Sequence, residues 1–304
     1  MKPVFLPLLP PTGAALALLL LASCGALTNQ DQGMEPSPPP IPGESETGKA
    51  ASSRSAMCLS VSADPEAEQA SQTKAYGPAK KFWTEVDQSH LRISFLPWRD
   101  AKTNAVLFIP GTKLRSKIEA AAREWINNDK RKDRANLTFE FLPDSEAHKG
   151  DIRICVGPDG YHRSQVGTDA RAVTSTKAPT MWLGVKNDSD DSLRKVTLHE
   201  FGHALGLKHE QQHPGNTIPW DEPQVYQYYR DLQAQFPAMG WNDQMTKDWV
   251  LTREKASNHI VGPYDPESVM HYPVPEELTI GKFSTVWRAR LSKGDITFIH
   301  ERYP

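Results

Sequence analysis

One stretch of the chain decides what the rest of it can be: residues 199–210, which read HEFGHALGLKHE. If this stretch begins as a helix, His199 and His203 lie one above the other on the same face. Their imidazoles can then point at one metal ion, with Glu200 beside them on the side open to water. The first five residues alone also occur by chance, as part of an ordinary helix face.

The residues that follow make a chance match rare. Gly206 allows the helix to end, because a helix C-terminus commonly needs a left-handed backbone that glycine adopts at little cost. The chain can then turn and bring His209 back as a third ligand. Three neutral nitrogens with one open position are typical of a catalytic zinc site, whereas structural sites are closed. The sequence therefore predicts one catalytic Zn²⁺.

The N-terminus has the pattern of an export signal. Lys2 supplies a positive charge, residues 14–22 are apolar, and Leu21-Ala22-Ser23-Cys24 follows. These four residues resemble the lipobox of bacterial lipoproteins, which implies a signal peptide over 1–23 and a membrane anchor through lipidated Cys24. The alternative is an ordinary signal peptide cut near Ala26. We expect a protein of the bacterial cell envelope, lipid-anchored in the outer membrane, or else a secreted one.

Composition sets further limits. The chain has 304 residues and a formal net charge of -2, and no long basic run suggests a nucleic-acid partner. A mean hydropathy of -0.55 excludes a protein with many membrane spans. Residues 35–43 are proline-rich and the following region is polar, so residues 24–79 are predicted to be a disordered tether. The catalytic domain is expected over 80–304, as a monomer.

Two cysteines remain if Cys24 is lipidated. Cys58 and Cys155 could form a disulfide in an oxidising compartment, or Cys155 could be a small buried residue of a strand. A Cys58 thiolate that caps the zinc is a third reading. The residues around it do not look like a known inhibitory motif.

Hydrophobic periodicity predicts an α+β fold, with a mixed twisted sheet and the zinc-binding helix above an irregular helical C-terminal half. The predicted strands are 90–98, 137–141, 152–156 and 180–185. A helix is expected over 113–128, and Ser192 is expected to cap the helix that carries His199 and His203. The predicted C-terminal helices are 223–235, 242–251 and 292–301.

The zinc motif resembles that of the metzincin metallopeptidases, and within this group it is most similar to the motif of the astacin family. A second motif, later in the chain, supports the same resemblance. Ser268-Val269-Met270-His271-Tyr272 is similar to the family's Met-turn. The resemblance spans about residues 80–304 and implies that Met270 lies under the zinc. It also implies that Tyr272 is a further zinc ligand that moves toward the substrate oxyanion. The alternative for Tyr272 is a core aromatic with a satisfied hydroxyl.

The sequence departs from the family in three respects. No cysteine follows Cys155, so the disulfides usual in animal astacins are absent, and the family's inhibitory F-x-G-D signature does not occur. Glu210 contacts a buried new N-terminus in processed astacins. A tethered protein need not form that end, so the role of Glu210 is open.

The resemblance implies hydrolysis of peptide bonds in extracytoplasmic proteins, with Glu200 as general base and Tyr272 at the oxyanion. The substrate is expected to pair with the strand over 180–185, and Trp182 could be a wall of the cleft or a core residue. Two alternatives remain. One is a surface lipoprotein that binds peptide or a partner without catalysis. The other is a different metzincin branch such as the matrixins, against which Tyr272 argues.

Overall fold

A computed structural model describes residues 58–61, 75–84, 89–126, 135–157, 160, 162–235 and 240–304. The predicted signal peptide, Cys24 and most of the predicted tether lie outside these ranges. In the described part of the chain, no helix is long and apolar enough to cross a membrane.

The main sheet has six strands. They are β1 (Cys58–Val61), β3 (His90–Leu96), β6 (Thr138–Phe141), β7 (Ile152–Val156), β8 (His162–Gln165) and β9 (Met181–Leu183). Their spatial order is β1-β8-β9-β7-β3-β6. Only the β8–β9 pair is antiparallel within this sheet; the other pairs are parallel.

Two small ribbons accompany the main sheet. The strands β2 (Tyr76–Pro78) and β10 (His259–Val261) pair with each other, and so do β4 (Trp98–Arg99) and β5 (Val106–Phe108). The four predicted strands are confirmed, although the fourth is shorter than 180–185. β8 was not predicted, because its residues HRSQ are polar and lack an apolar alternation.

The helices are α1 (Thr112–Arg123), α2 (Asp190–Ala204), α3 (Glu222–Gln235), α4 (Asp243–Thr246) and α5 (Lys293–Arg302). A π-helical turn, Lys247–Leu251, continues α4. All five agree with the predicted helices to within a few residues. The cap of α2 differs from the prediction: Ser189, not Ser192, is the N-cap, and its side chain accepts the Ser192 N–H at 3.2 Å.

The core has two main parts, which confirms the predicted α+β architecture with two halves. The sheet, α1 and α2 share a large apolar cluster that includes Ile93, Trp125 and Phe201. A second cluster lies in the C-terminal half. It contains Val225, Tyr229, Trp241, Val250, Tyr272 and Leu278. The zinc motif lies at the end of α2, where the chain passes from the first half to the second.

Two strands fall inside the segment predicted to be a tether. β1 pairs with β8 in parallel, and β2 pairs with β10. Part of residues 24–79 is therefore built into the sheets. Polar composition favoured a tether here, but strand pairing satisfies the backbone of these short segments.

The register of β1 argues against a disulfide between Cys58 and Cys155. Cys58 of β1 pairs with His162 of β8, and His162 pairs with Leu183 of β9. Leu183 in turn pairs with Val156 of β7, the neighbour of Cys155. Three steps between strands amount to roughly 14 Å. The Cα atoms of a disulfide are less than about 7 Å apart. The reading of Cys155 as a buried strand residue is confirmed, at 2% exposure.

Candidate metal centre and active site

The end of α2 has the geometry expected from Gly206. This residue adopts a φ of +103°, in the left-handed region. Its N–H donates to the His203 carbonyl at 2.8 Å, and the Leu207 N–H donates to the Gly202 carbonyl at 3.0 Å. These two bonds form a Schellman motif, which ends the helix and turns the chain back. The turn brings His209 to the two histidines of the helix.

The three predicted histidines come together. The candidate ligand nitrogens of His199, His203 and His209 lie within 4.8 Å of one another, and all three side chains are buried. The Nε2 atoms of His203 and His209 are 3.0 Å apart. In the described structure the Nε2 atom of His199 is buried without a hydrogen-bond partner.

Backbone carbonyls orient two of these rings. Nδ1 of His199 is 2.8 Å from the Val269 carbonyl, and Nδ1 of His203 is 2.8 Å from the Leu207 carbonyl. A carbonyl only accepts, so each Nδ1 carries the proton and each Nε2 presents a lone pair. This outer hydrogen bond is the usual way in which a protein fixes the tautomer of a metal-binding histidine.

Burial keeps all three rings neutral. It lowers the pKa of His199 to about 4, and it lowers the pKa values of His203 and His209 well below their usual range. A neutral imidazole is the form that binds a metal ion. Three converging lone pairs, one of them on a buried atom with no other partner, fit a zinc ion with three nitrogen ligands.

Glu200 follows the first histidine directly and is fully buried. It lies on α2 between His199 and Gly202, so its carboxyl group belongs to the same end of the helix as the metal ligands. A carboxylate in this place is a group that can accept a proton beside the three imidazoles.

The Met-turn lies against the zinc helix. An added Cβ on Gly202 would overlap the sulfur of Met270 and would come within 3.1 Å of Trp125 Cζ2. Met270 is fully buried. The sulfur therefore packs directly on the helix backbone between His199 and His203, and the neighbouring Val269 supplies the carbonyl that orients His199.

A residue outside the predicted site holds this turn in place. Asp295, fully buried at the start of α5, accepts from the Ser268 hydroxyl at 2.6 Å and from the Val269 N–H at 3.0 Å. Its carboxylate also accepts the Ser292 N–H at 2.8 Å and completes a capping box. Burial raises the pKa of Asp295 to about 6. The spacing S-x-x-D over 292–295 is the sequence signal that could have revealed the cap.

Tyr272 contacts two of the three histidines. Its ring centroid is 4.4 Å from that of His209 and 5.6 Å from that of His199. The same side chain is 7% exposed and belongs to the apolar cluster of the C-terminal half. The two readings of Tyr272 are therefore compatible in this structure: it packs in a core and also borders the metal centre.

Side chains hold the backbone of Tyr272 on both sides. Its N–H donates to Gln211 Oε1 at 3.3 Å. Its carbonyl accepts from the Thr285 hydroxyl at 2.8 Å and from His271 Nδ1 at 2.6 Å. Sequence reasoning missed Gln211 and Thr285, because no motif assigns a role to them. The main chain is fixed, so movement of the phenol requires rotation of the side chain alone.

Glu210 links the zinc motif to the Met-turn region. Its N–H donates to the Met270 carbonyl at 3.0 Å, and its fully buried carboxylate accepts the Asp265 N–H at 2.7 Å. Burial raises its pKa well above the usual range, and the nearby carboxylates of Asp295 and Asp265 add to this shift. Glu210 therefore has a structural role: it connects the zinc motif to the segment that contains Asp265 and Met270.

The predicted substrate strand is wrong. β9, the core of the predicted 180–185 strand, lies inside the sheet between β8 and β7, so neither of its edges is free. β8 lies between β9 and β1 and pairs with both. Trp182 is a core residue rather than a cleft wall: it packs with Trp98 and Cys155, under the guanidinium of Arg163 at 5.6 Å.

Comparisons with known proteins agree with this geometry. Residues 98–225 match the family model of the matrixin peptidases. The structure of myroilysin is similar, with 27% identity and a TM-score of 0.61 over 75% of this chain and 98% of that one. The chain has a metzincin fold. A search of curated protein sequences gave no match.

Two further solved structures match less well. A crystal structure of myroilysin has 26% identity and a TM-score of 0.46, over 79% of this chain and 91% of that one. The hatching enzyme zinc-protease HCE-1 of the medaka fish Oryzias latipes has 18% identity and a TM-score of 0.45, over 74% of this chain and 95% of that one.

The metzincin fold and the three histidines together support a zinc metalloprotease that acts on proteins or peptides. The family match contains the zinc motif but ends at residue 225, before the Met-turn and Tyr272. It therefore leaves open which metzincin branch this chain resembles most.

Proposed function

We propose that this protein is an astacin-like zinc endopeptidase that hydrolyses peptide bonds in extracytoplasmic proteins. The observation that carries the proposal is the convergence of His199, His203 and His209, whose ligand nitrogens lie within 4.8 Å of one another. Backbone carbonyls set the tautomers of His199 and His203. The three histidines would hold one zinc ion. When bound there, the ion supplies Lewis acidity to a water molecule and to the scissile carbonyl.

The remaining chemistry belongs to two side chains. Glu200 accepts a proton from the attacking water and returns it to the leaving amine. The Tyr272 hydroxyl donates a hydrogen bond to the oxyanion that develops on the carbonyl. In the resting state it would be a further ligand to the zinc ion. The contacts of the Tyr272 ring with His199 and His209 support this pair of roles. They also favour the astacin branch over the matrixins, whose Met-turn lacks the tyrosine.

The substrate is proposed to bind as an extended strand along β8. On its outer side this strand pairs with the short β1, whereas β9 lies between β8 and β7 in the interior of the sheet. When a peptide pairs with a sheet edge, main-chain hydrogen bonds provide affinity, and pockets for the side chains determine specificity. Substrate and β1 would compete for the same row of hydrogen-bonding groups.

The location and the domain boundaries are also proposals. The lipobox-like sequence before Gly25 supports export, loss of residues 1–23 and an anchor at Cys24. We place the peptidase domain over 80–304, with the strands β1 and β2 added to its sheets, and the tether between Cys24 and β1.

The alternative is a lipoprotein that binds peptides on a metzincin scaffold without cleaving them. A Glu200→Ala variant separates the two readings. A peptidase loses at least about a hundredfold in kcat/KM, since general base catalysis contributes roughly 10²–10⁴-fold. Zinc content, measured by metal analysis, should stay at the wild-type level because Glu200 is not a ligand.

The matched control is Glu119→Gln, which changes a carboxylate on α1 that pairs with Arg123 at 2.7 Å, outside the metal centre. We expect this variant to keep the wild-type rate. If Glu200→Ala cleaves as fast as wild type while it holds zinc, the proposed mechanism is wrong. If wild type binds peptides and never cleaves them, the binding alternative replaces it.

A further inference from the structure

The segment at the start of the catalytic domain packs on the zinc motif. We call residues 75–83 the N-terminal strap; it begins inside the segment predicted to be a tether, and it contains β2, which pairs with β10. It carries four buried hydrophobic side chains: Ala75, Tyr76, Phe82 and Trp83. The strap contacts the zinc motif at three places between Ala204 and His209.

The strap covers the end of α2. The indole N–H of Trp83 donates to the Ala204 carbonyl at 2.8 Å, one of the carbonyls that lack a partner within the helix. Phe82 lies against Gly206, because a Cβ added there would come within 2.8 Å of its ring. Gly77 is closer still, since a Cβ on it would overlap the Gly206 carbonyl oxygen. The strap is therefore in direct contact with the turn that follows the helix.

Tyr76 extends this contact to the third histidine. The residue is fully buried, and its hydroxyl donates to the His209 carbonyl at 2.9 Å. Its own carbonyl accepts the Lys208 N–H at 3.1 Å, so two hydrogen bonds join it to neighbouring residues of the motif. Burial raises the pKa of Tyr76 well above its usual range, and Glu254 and Glu210 add to this shift. The phenol therefore keeps its proton and remains a donor at neutral pH.

His209 depends on such contacts more than the other two histidines do. His199 and His203 belong to α2, whose backbone hydrogen bonds fix their positions, whereas His209 follows the turn. Its carbonyl accepts the Gln212 N–H of the same loop at 3.0 Å. The Tyr76 hydroxyl, by contrast, comes from a segment 133 residues earlier in the chain. A metal ligand on a loop keeps its geometry only if surrounding groups hold that loop in place.

We infer that Tyr76 is a positioning residue of the metal centre: its hydroxyl fixes the backbone of His209, so that the third nitrogen is held in place for zinc. The inference rests on the metal centre of the proposed function. Partners of this kind, one step removed from the metal, typically contribute 10–100-fold to metal affinity. It follows that the functional unit begins before Ala75, since a fragment over 80–304 alone would lack this contact.

Tyr76→Phe tests the hydroxyl alone. The ring stays in place, together with its edge contact with His213 at 5.0 Å between centroids. Competition with a chelator, on the full chain, gives the Kd for zinc, which should rise about tenfold relative to wild type. In the cobalt-substituted protein, the visible absorption spectrum depends on ligand geometry, so it should change as well.

Tyr303→Phe is the matched control. The Tyr303 hydroxyl donates to the Leu205 carbonyl at 2.8 Å and accepts the Trp83 N–H at 3.2 Å, so this variant loses two buried hydrogen bonds, neither of them on a histidine. Denaturant titration of the zinc-free proteins should show at least as large a loss of stability as in Tyr76→Phe. The zinc Kd and the cobalt spectrum should stay as in wild type, which separates positioning of a ligand from a general loosening of the turn.

A wild-type zinc Kd and cobalt spectrum in Tyr76→Phe would overturn the inference. An equal loss of zinc affinity in Tyr303→Phe would also overturn it, because the effect would then be one of stability. If wild type itself binds no zinc, both the metal centre and the inference are refuted. Zinc binding by wild type without any peptide cleavage would refute the proposed function alone, and the difference in zinc affinity between the two variants would still be expected.

Discussion

Met270 packs its sulfur directly against the backbone of Gly202, in the turn of α2 that separates His199 from His203. Position 202 is an unspecified residue in the general motif H-E-x-x-H, but in this protein only glycine fits there. The Met-turn and the zinc helix therefore fit together through a glycine, and the carbonyl of Val269 orients His199 only if that fit is kept.

Gly202→Ala should destabilise the protein. In a helix interior the change from glycine to alanine normally stabilises by about 1 kcal/mol. Here the new methyl overlaps Met270 and crowds Trp125, and overpacking of a core costs roughly 1–3 kcal/mol. We expect a net loss of up to about 2 kcal/mol in the free energy of unfolding, together with weaker zinc binding.

Denaturant titration and zinc titration measure these two effects. Gly157→Ala is the control, because a Cβ there would meet nothing within 4 Å. A Gly202→Ala protein that is as stable as wild type and holds zinc as tightly would show that the Met-turn does not press on the helix.

Tyr272→Phe tests the oxyanion role. The ring contacts with His209 and His199 should survive, since only the hydroxyl is removed. Loss of one donor at a developing oxyanion costs about 10²–10³-fold in kcat, and KM should change little. Steady-state kinetics on one peptide substrate measure both constants. Wild-type kcat in this variant would leave Tyr272 as a core aromatic only.

The buried His162 should make stability depend on pH. Its Nδ1 accepts the Gly184 N–H at 3.0 Å, and burial, with a smaller effect of His199, lowers its pKa to about 3. The unfolded chain binds this proton near pH 6.5, whereas the folded protein does not. Stability is therefore lost as the pH falls below about 6.5, by about 1.4 kcal/mol per pH unit from this residue.

His162→Asn keeps an acceptor for Gly184 but does not titrate. Between about pH 7 and about pH 5, wild type should lose roughly 2 kcal/mol more than this variant. Chemical denaturation of both zinc-loaded proteins at the two pH values measures the loss of stability in each. The effects of the other histidines cancel when the loss in the variant is subtracted from that in wild type. Equal losses would show that His162 is protonated in the folded state.

Loosening β1 should speed cleavage if substrates pair with β8. Neighbouring N–H groups of a strand point to opposite sides, so prolines at Leu59 and Ser60 together remove one backbone donor that faces β8. The lost hydrogen bond weakens the pairing by about 1 kcal/mol. We expect kcat/KM to rise several-fold, as measured with one peptide. Ala67→Pro, outside β1, is the control. An unchanged or lower rate in the double variant would indicate that substrates bind elsewhere.

Much of the fold could be predicted from local patterns. The alternation of Leu91, Ile93 and Phe95 gave a strand, and helical spacing around Ile118 gave α1. Gly206 marked the end of α2 because few other residues adopt its backbone angle. Each of these signals is carried by consecutive residues.

The missed features depend on long-range contacts. β8 is polar and short, and only its partners make it a strand. The position of β9 in the interior of the sheet follows from strand order, which no local pattern encodes. Gln211 and Asp295 gain their roles from Tyr272 and Val269, which are distant in sequence. Ser189 was overlooked as the cap because several residues before α2 could serve.

Peptide cleavage by the purified protein, with zinc content measured on the same sample, tests the central claim most directly. The zinc-loaded protein should cleave a diverse peptide mixture, lose that activity in a chelator as about one zinc per chain is removed, and regain it when zinc alone is restored. A fully zinc-loaded protein that cleaves no peptide, or cleavage that continues unchanged once the zinc is gone, would contradict the account.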